Sequence, residues 1–256
     1  METIRIIILG IIQGITEFIP VSSSGHLVLF QNLFGMESSL TLNVFLHFGT
    51  LVAVVIVFWS DIKKLITLQP GYRKLAFLII IGTIPAGVIG VLFEDFFEEI
   101  FGSVQIVGFM LIITGLLLWI SDRISDTEKE VKDMDGIDAV VVGFAQALAI
   151  FPGISRSGAT IVGGLFKGLN RELAARYSFL LSIPVIGGAT FLEAITLYQQ
   201  GPGDIGGFNL FIGTLASVIS GYFAIKVLLW LVKAKQLSYF AYYCWLVALI
   251  ILIFIA

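Results

Sequence analysis

Six apolar stretches of membrane-spanning length, 41–59, 75–93, 101–120, 172–199, 209–232 and 239–256, constrain this chain more than any other feature. Crossing a bilayer's hydrocarbon core takes about 20 apolar residues. With two further stretches, 1–36 and 137–170, there is room for six to eight crossings. Charge is scarce: 13% of the 256 residues are charged and 58% hydrophobic, and mean hydropathy is +1.02. A soluble domain carries about 25% charged residues, roughly twice what this chain has. Helices satisfy their own backbone hydrogen bonds in lipid, so the expected fold is an all-α polytopic membrane protein.

The remaining composition excludes other classes. The net charge is −3 and no basic patch is present, which argues against a nucleic-acid partner. Cys244 is the one cysteine and lies in an apolar run; it reads as a small packing residue. Together with His26 and His47 alone, it gives little basis for a structural zinc site. Residues 6–12 are apolar as in a signal peptide. However, Gln13 and Glu17 interrupt the segment and Val21-Ser22-Ser23-Ser24 is a poor cleavage site, so the N-terminus is expected to be retained.

The stretches 1–36 and 137–170 differ from the six spans because Gly, Ser and Pro interrupt each near its middle. They also resemble each other. A shift of 133 residues places Gly10 on Gly143, Gln13 on Gln146, Phe18 on Phe151, Ser22 on Ser155, Ser24 on Ser157 and Gly25 on Gly158. Pro20 and Pro152 miss by one position. Three apolar runs follow each copy, which suggests two repeats, 1–125 and 137–256.

Loop charge chooses between two topologies, because cytoplasmic loops favour Lys and Arg. Lys63, Lys64, Arg73 and Lys74 mark 60–74 as inside; Glu94–Glu99 is then outside, and the loop with Arg123, Lys129 and Lys132 inside. If each interrupted segment enters and leaves on one side, Lys167, Arg171, Lys233 and Lys235 also fall inside; if each crosses, all four lie outside. The expectation is therefore two inverted repeats, each a re-entrant helix-loop-helix hairpin plus three transmembrane helices, with both termini outside. Broken helices at corresponding places in two repeats point to a midplane ligand site. The two interrupted segments should meet there.

Their polar residues suggest the ligand. In the first, Gln13 and Glu17 share a helix face before Pro20 and the run Ser22-Ser23-Ser24-Gly25-His26. A carboxylate at membrane depth costs about 2.5–3.5 kcal/mol, so Glu17 is a functional candidate; its alternative role is to fix the serine loop. The second segment reads Pro152-Gly153-Ile154-Ser155-Arg156-Ser157-Gly158-Ala159-Thr160. A guanidinium fork between hydroxyls suits a phosphate, and glycines let backbone N–H groups approach an anion. An internal Arg156–Glu17 ion pair is the alternative, and the two are compatible. An acid, a histidine, hydroxyls and an arginine favour phosphoryl transfer. Esterase chemistry would leave the arginine without a role. An anion transporter or lipid flippase is the competing class, although a carrier needs no nucleophile–base pair.

The Gln-x-x-x-Glu segment running into PVSSSGH, together with PGISRSGAT and the run at 178–184, resembles the undecaprenyl-diphosphate phosphatase family of bacitracin-resistance type over essentially the whole chain. The resemblance implies hydrolysis of undecaprenyl diphosphate to the monophosphate, recycling the lipid carrier for cell-wall synthesis. It also implies a plasma-membrane location, a site facing the extracytoplasmic side, and a divalent cation, Mg2+ or Ca2+. The family accepts Glu or Gln at the motif's first position; here it is Gln13, which leaves Glu17 as the one carboxylate of the pair. By matching positions, the implied catalytic residues are Glu17, Ser23, His26 and Arg156. Ser22, Ser24, Ser155, Arg156, Ser157 and Thr160 would bind substrate, and Glu17 with Gln13 the metal. The nucleophile is left open among Ser23, His26 and water. The expected partners are a polyprenyl diphosphate and membrane lipids; a homodimer is compatible with this architecture.

Elsewhere, His47 reads as a helix-packing hydrogen-bonder, with a site-lining role second. Glu193 stands unassigned between a membrane end and a second polar site. Arg171, Glu172 and Arg176 read as an interfacial charge cluster. Gly82, Gly87, Gly90, Gly187 and Gly188 read as close-packing positions.

Overall fold

The computed structural model describes residues 2–36, 39–101, 103–200 and 205–255. The expected loop 200–208 and the side chain of Glu193 lie wholly or partly outside the described residues. Regular structure among the described residues is helical, in the order α1 (Glu2–Phe18), α2 (Ser23–Leu33), α3 (Leu40–Val57), α4 (Trp59–Ile66), α5 (Arg73–Leu92) and α6 (Glu94–Phe101), then α7 (Val104–Ser121), α8 (Gly136–Leu148), α9 (Arg156–Phe166), α10 (Arg171–Gln200), α11 (Gly207–Lys233) and α12 (Ser238–Phe254). Polar residues set the starts. Ser39 and Ser103 cap α3 and α7 by accepting from the Leu42 and Ile106 N–H groups, and Asp135 with Asp138 forms a capping box on α8.

The described residues of all six apolar runs fall largely on helices. Among the described residues, four helices, α5, α7, α10 and α11, are long and apolar enough to cross a membrane. The pair α3 and α4, bent by 83°, makes a fifth if taken as one span. At 17 residues, α12 rises only about 26 Å, the short end of what spans a core of about 30 Å. The outward surface is apolar: Ile80, Val91, Phe211, Phe223 and Trp230 are all more than half exposed. Such a belt suits lipid rather than water. The protein is a multi-pass, all-α membrane protein.

The interrupted segments form helix pairs. α1 packs on α2 and α8 on α9. At 11 residues each, α2 and α9 rise about 16 Å, half the thickness of the core. Longer-range packing crosses between the two halves of the chain, since α1 lies on α11 while α8 lies on α5. The contacts correspond in detail: a Cβ at Gly10 would stand 2.4 Å from the Gly213 carbonyl oxygen, and one at Gly143 2.5 Å from that of Gly82. Gly82 thus permits the close packing its sequence suggested. Gly87 and Gly188 correct that expectation, because a Cβ at either meets nothing within 4 Å.

The basic loops gather at one end. Lys129 and Lys167 both pair with the buried Asp138, Arg171 and Lys235 with Asp126, and Lys233 with Glu172. Arg176 pairs with Asp61, so the expected interfacial cluster is a set of ion pairs. A crossing α8–α9 segment would have put Lys167, Arg171, Lys233 and Lys235 at the opposite end from Lys129 and Asp126.

Candidate active site

The two loops that end α1 and α8 build the site. Pro20 withdraws an N–H and disfavours helical backbone at Ile19, so α1 stops at Phe18. Ser22 then adopts φ 69°, a conformation uncommon outside glycine. Its Oγ accepts from the Gly25 N–H as the cap of α2. In the second loop Gly153 takes φ 101°, and a Cβ there would stand 2.6 Å from the Val107 carbonyl oxygen. Thr114 Oγ1 on α7 pins this loop, donating to the Gly153 carbonyl at 2.8 Å and accepting from the Ser155 N–H at 3.1 Å. Ser155 Oγ caps α9 through the Gly158 N–H. The paired serines match as well: Ser22 and Ser24 hydroxyls are 3.3 Å apart, and those of Ser155 and Ser157 3.2 Å.

These loops face each other, and Glu17 is the junction. Its Oε1 accepts from Arg156 Nη2 at 2.9 Å. Its Oε2 accepts from Ser23 Oγ at 2.7 Å and from Gln13 Nε2 at 3.0 Å. Ser23 and Arg156 occupy equivalent places under the 133-residue shift, each opening a short helix. The N-terminal ends of α2 and α9 therefore both border the carboxylate, and each contributes a partial positive charge. Arg156 Nη1 also donates to the Ser178 carbonyl at 3.4 Å. Arg156 opens α9, so the pair lies about 16 Å, one 11-residue helix, from the ion-paired end.

The remaining candidates divide by environment. Ser23, Ser24 and Arg156 retain partial exposure; Ser22, His26, Ser155, Ser157 and Thr160 are buried. Thr160 Oγ1 donates to the Arg156 carbonyl at 2.8 Å and lies 2.6 Å from Ser178 Oγ, so it supports the loop. Both ring nitrogens of His26 are engaged: Nδ1 meets the Ser22 carbonyl oxygen at 2.8 Å and Nε2 the Tyr243 hydroxyl at 2.7 Å. A carbonyl only accepts, so Nδ1 carries the proton, and in the neutral ring Nε2 accepts from Tyr243. Cys244, beside Tyr243, is buried, with Sγ 3.8 Å from the Pro20 carbonyl oxygen.

The structure adds residues that the sequence ranked low or missed. His47 on α3 joins the network, with Nδ1 3.0 Å from Gln13 Nε2 and 3.7 Å from Glu17 Oε2. A lone histidine at membrane depth was its signal. Ser178 belongs to the distinctive run 178–184, whereas Tyr243 sits in an ordinary apolar span and carried no signal.

An implied divalent cation fits this donor set. Gln13 Oε1 is buried and has no hydrogen-bond partner. That amide oxygen and the Glu17 carboxylate oxygens are the hard donors that Mg2+ and Ca2+ take.

The chain is similar to proteins named undecaprenyl-diphosphatase. That of Halothermothrix orenii is 52% identical over 254 residues, covering 99% of this chain and 98% of the relative. Those of Alkaliphilus metalliredigens and Methanobrevibacter smithii are 46% and 43% identical, with at least 97% of each chain covered. The family model described as bacitracin resistance protein BacA matches residues 6–250, and the chain belongs to this family.

Proposed function

We infer that this protein is an integral membrane phosphatase that hydrolyses undecaprenyl diphosphate, or a close polyprenyl diphosphate, to the monophosphate and phosphate. The observation that carries the reading is the Glu17–Arg156 pair set between two helix N-termini, with the Ser23 hydroxyl on the same carboxylate. The relatives' names agree with it. A flippase has no use for a hydroxyl on a base, and that alternative is not favoured.

An arriving terminal phosphate competes with Glu17 for the Arg156 fork, and the ends of α2 and α9 add backbone N–H donors. Displaced from Arg156, Glu17 is left as the base against Ser23 Oγ, the hydroxyl already 2.7 Å from it. Ser23 Oγ bonds to the terminal phosphorus while the bond to the bridging oxygen breaks. The electron pair leaves on the prenyl monophosphate and the Ser23 proton passes to Glu17. Glu17 hands that proton to the departing monophosphate oxygen; water then attacks the phosphoserine, its proton goes to Glu17, and Glu17 returns it to the Ser23 oxygen as the serine–phosphorus bond breaks. His26, committed on both ring nitrogens, shapes the wall of the site. Glu17 and Gln13 would hold a divalent cation, which when bound offsets phosphate charge.

The basic end of the bundle is placed at the cytoplasmic side of the cell membrane, and the site opens towards the extracytoplasmic side. Purified protein in detergent should release phosphate from a long-chain prenyl diphosphate, and a chelator should suppress that release. Lipid translocation in proteoliposomes without phosphate release would replace this reading with the flippase.

A further inference from the structure

We propose that His47 Nδ1 is a third ligand, beside Gln13 Oε1 and Glu17 Oε2, of one small divalent cation; the proposal rests on the cation requirement of the reading above. The argument starts from the Gln13 amide. Its nitrogen now sits between two acceptors, 3.0 Å from Glu17 Oε2 and 3.0 Å from His47 Nδ1, which are themselves 3.7 Å apart. Its oxygen, buried in the same side chain, bonds to nothing. Rotating the amide by half a turn exchanges the two ends. Oε1 then faces the carboxylate and the imidazole lone pair, an arrangement of three electron-pair donors that is repulsive unless a cation joins them.

The spacings suit such a cation. Two donors about 2.1 Å from one ion stand about 3.0 Å apart at a right angle and about 3.6 Å apart at 120°. The three observed separations match that pattern with no movement beyond the amide rotation and placement of the ion. A calcium ion, at about 2.3–2.6 Å from its ligands, would also fit these separations, at smaller donor–ion–donor angles. Mn2+ shares the preference of Mg2+ and Ca2+ for carboxylate and amide oxygens and, as a paramagnetic ion, reports a nitrogen ligand directly. The charges facing His47 from the elements packed on α3 are compatible with a cation. Glu17 on α1 supplies one negative charge. Arg156 on α9 lies on the other carboxylate oxygen, and Lys226 on α11 is exposed, over the Tyr222 ring. On α10, Arg176 is paired with Asp61 on α4, beyond the C-terminal end of α3.

Mn2+ binding to the full-length protein in detergent, without substrate, gives a readout separate from activity. Titration by electron paramagnetic resonance should show one bound ion, with nitrogen modulation in its spin-echo spectrum. His47→Ala should weaken binding by at least about tenfold and abolish the modulation. His47→Gln, which restores an oxygen donor and keeps packing, should recover part of the affinity without the modulation. His26→Ala should retain the modulation. Modulation lost in His26→Ala and kept in His47→Ala would overturn the proposal, as would wild-type protein that binds Mn2+ with no nitrogen coupling or does not bind it. Phosphate release measured in parallel separates the two readings. A His47-bound ion without phosphatase activity refutes the function and leaves the ligand, while phosphatase activity with no His47 coupling refutes the ligand alone.

Discussion

Arg156 Nη2 lies 2.9 Å from Glu17 Oε1 although 139 residues separate them in sequence. The contact joins the two interrupted segments at membrane depth and makes each residue's role testable through the other. Arg156→Lys keeps the charge but loses the paired donors, each worth roughly 1.5–3 kcal/mol to a charged partner. Turnover should fall by about one to two powers of ten. Arg156→Ala should also lower thermal stability, since stranding a buried partner costs about 3–5 kcal/mol. Glu17→Gln keeps an acceptor for Arg156 and should give a folded, nearly inactive protein. Near-normal turnover in Arg156→Lys would show that charge alone suffices.

The split between Ser23 and His26 predicts the nucleophile. Ser23→Ala should lower phosphate release by about a hundredfold or more. Tyr243→Phe removes one neutral hydrogen bond from His26, worth about 1 kcal/mol, and should lower release no more than about tenfold. A larger loss in Tyr243→Phe than in Ser23→Ala would return the attacking role to His26. Initial rates with a prenyl diphosphate decide between them.

Helix packing makes a contrast between two glycines. Gly143→Ala would put a Cβ 2.5 Å from the Gly82 carbonyl oxygen, and such overpacking costs about 1–3 kcal/mol. Gly188→Ala meets nothing within 4 Å and should be neutral or stabilise by up to about 1 kcal/mol through helix propensity. Thermal unfolding in detergent should rank Gly143→Ala below wild type and Gly188→Ala at or above it.

Accessibility of introduced cysteines tests the hairpins. Glu2→Cys and Gly207→Cys should label from outside the cell with an impermeant reagent, and Glu128→Cys should not. The native Cys244 is fully buried and should contribute no background. Labelling of Gly207→Cys from the cytoplasmic side alone would refute the inverted arrangement.

At the basic end, hydrogen bonds from Lys235 and then Arg171 hold the Asp126 carboxyl below its ordinary range. A carboxyl depressed by folding stabilises the protein above its unfolded pKa, and that contribution is lost as pH falls through the lower folded value. Asp126→Asn should therefore melt earlier than wild type near pH 7, and the difference should close in acid, below the usual Asp range. A difference that persists in acid would mean that the ion pairs to Lys235 and Arg171 contribute nothing.

The sequence by itself determined the solvent and the element type. Runs such as 75–93 and 209–232 cannot be covered in water, and lipid leaves helices as the stable form. It also located the loops, because Pro20 and Gly153 act on their own neighbours, and the Ser22 and Ser155 caps reach only three residues ahead. What a local pattern cannot encode is which atoms meet across the bundle. His47 read first as a helix-packing hydrogen-bonder and Tyr243 as a residue of an ordinary apolar span; only the packing of α3 against α1 brought His47 to Gln13 and Glu17, and only the place of α12 brought Tyr243 to His26. Gly82 and Gly87 lie five residues apart on one helix, yet only Gly82 faces a neighbour's backbone. Periodicity marks a residue as apolar or small, whereas its partner is set by how the helices cross, and that is a property of the assembled fold.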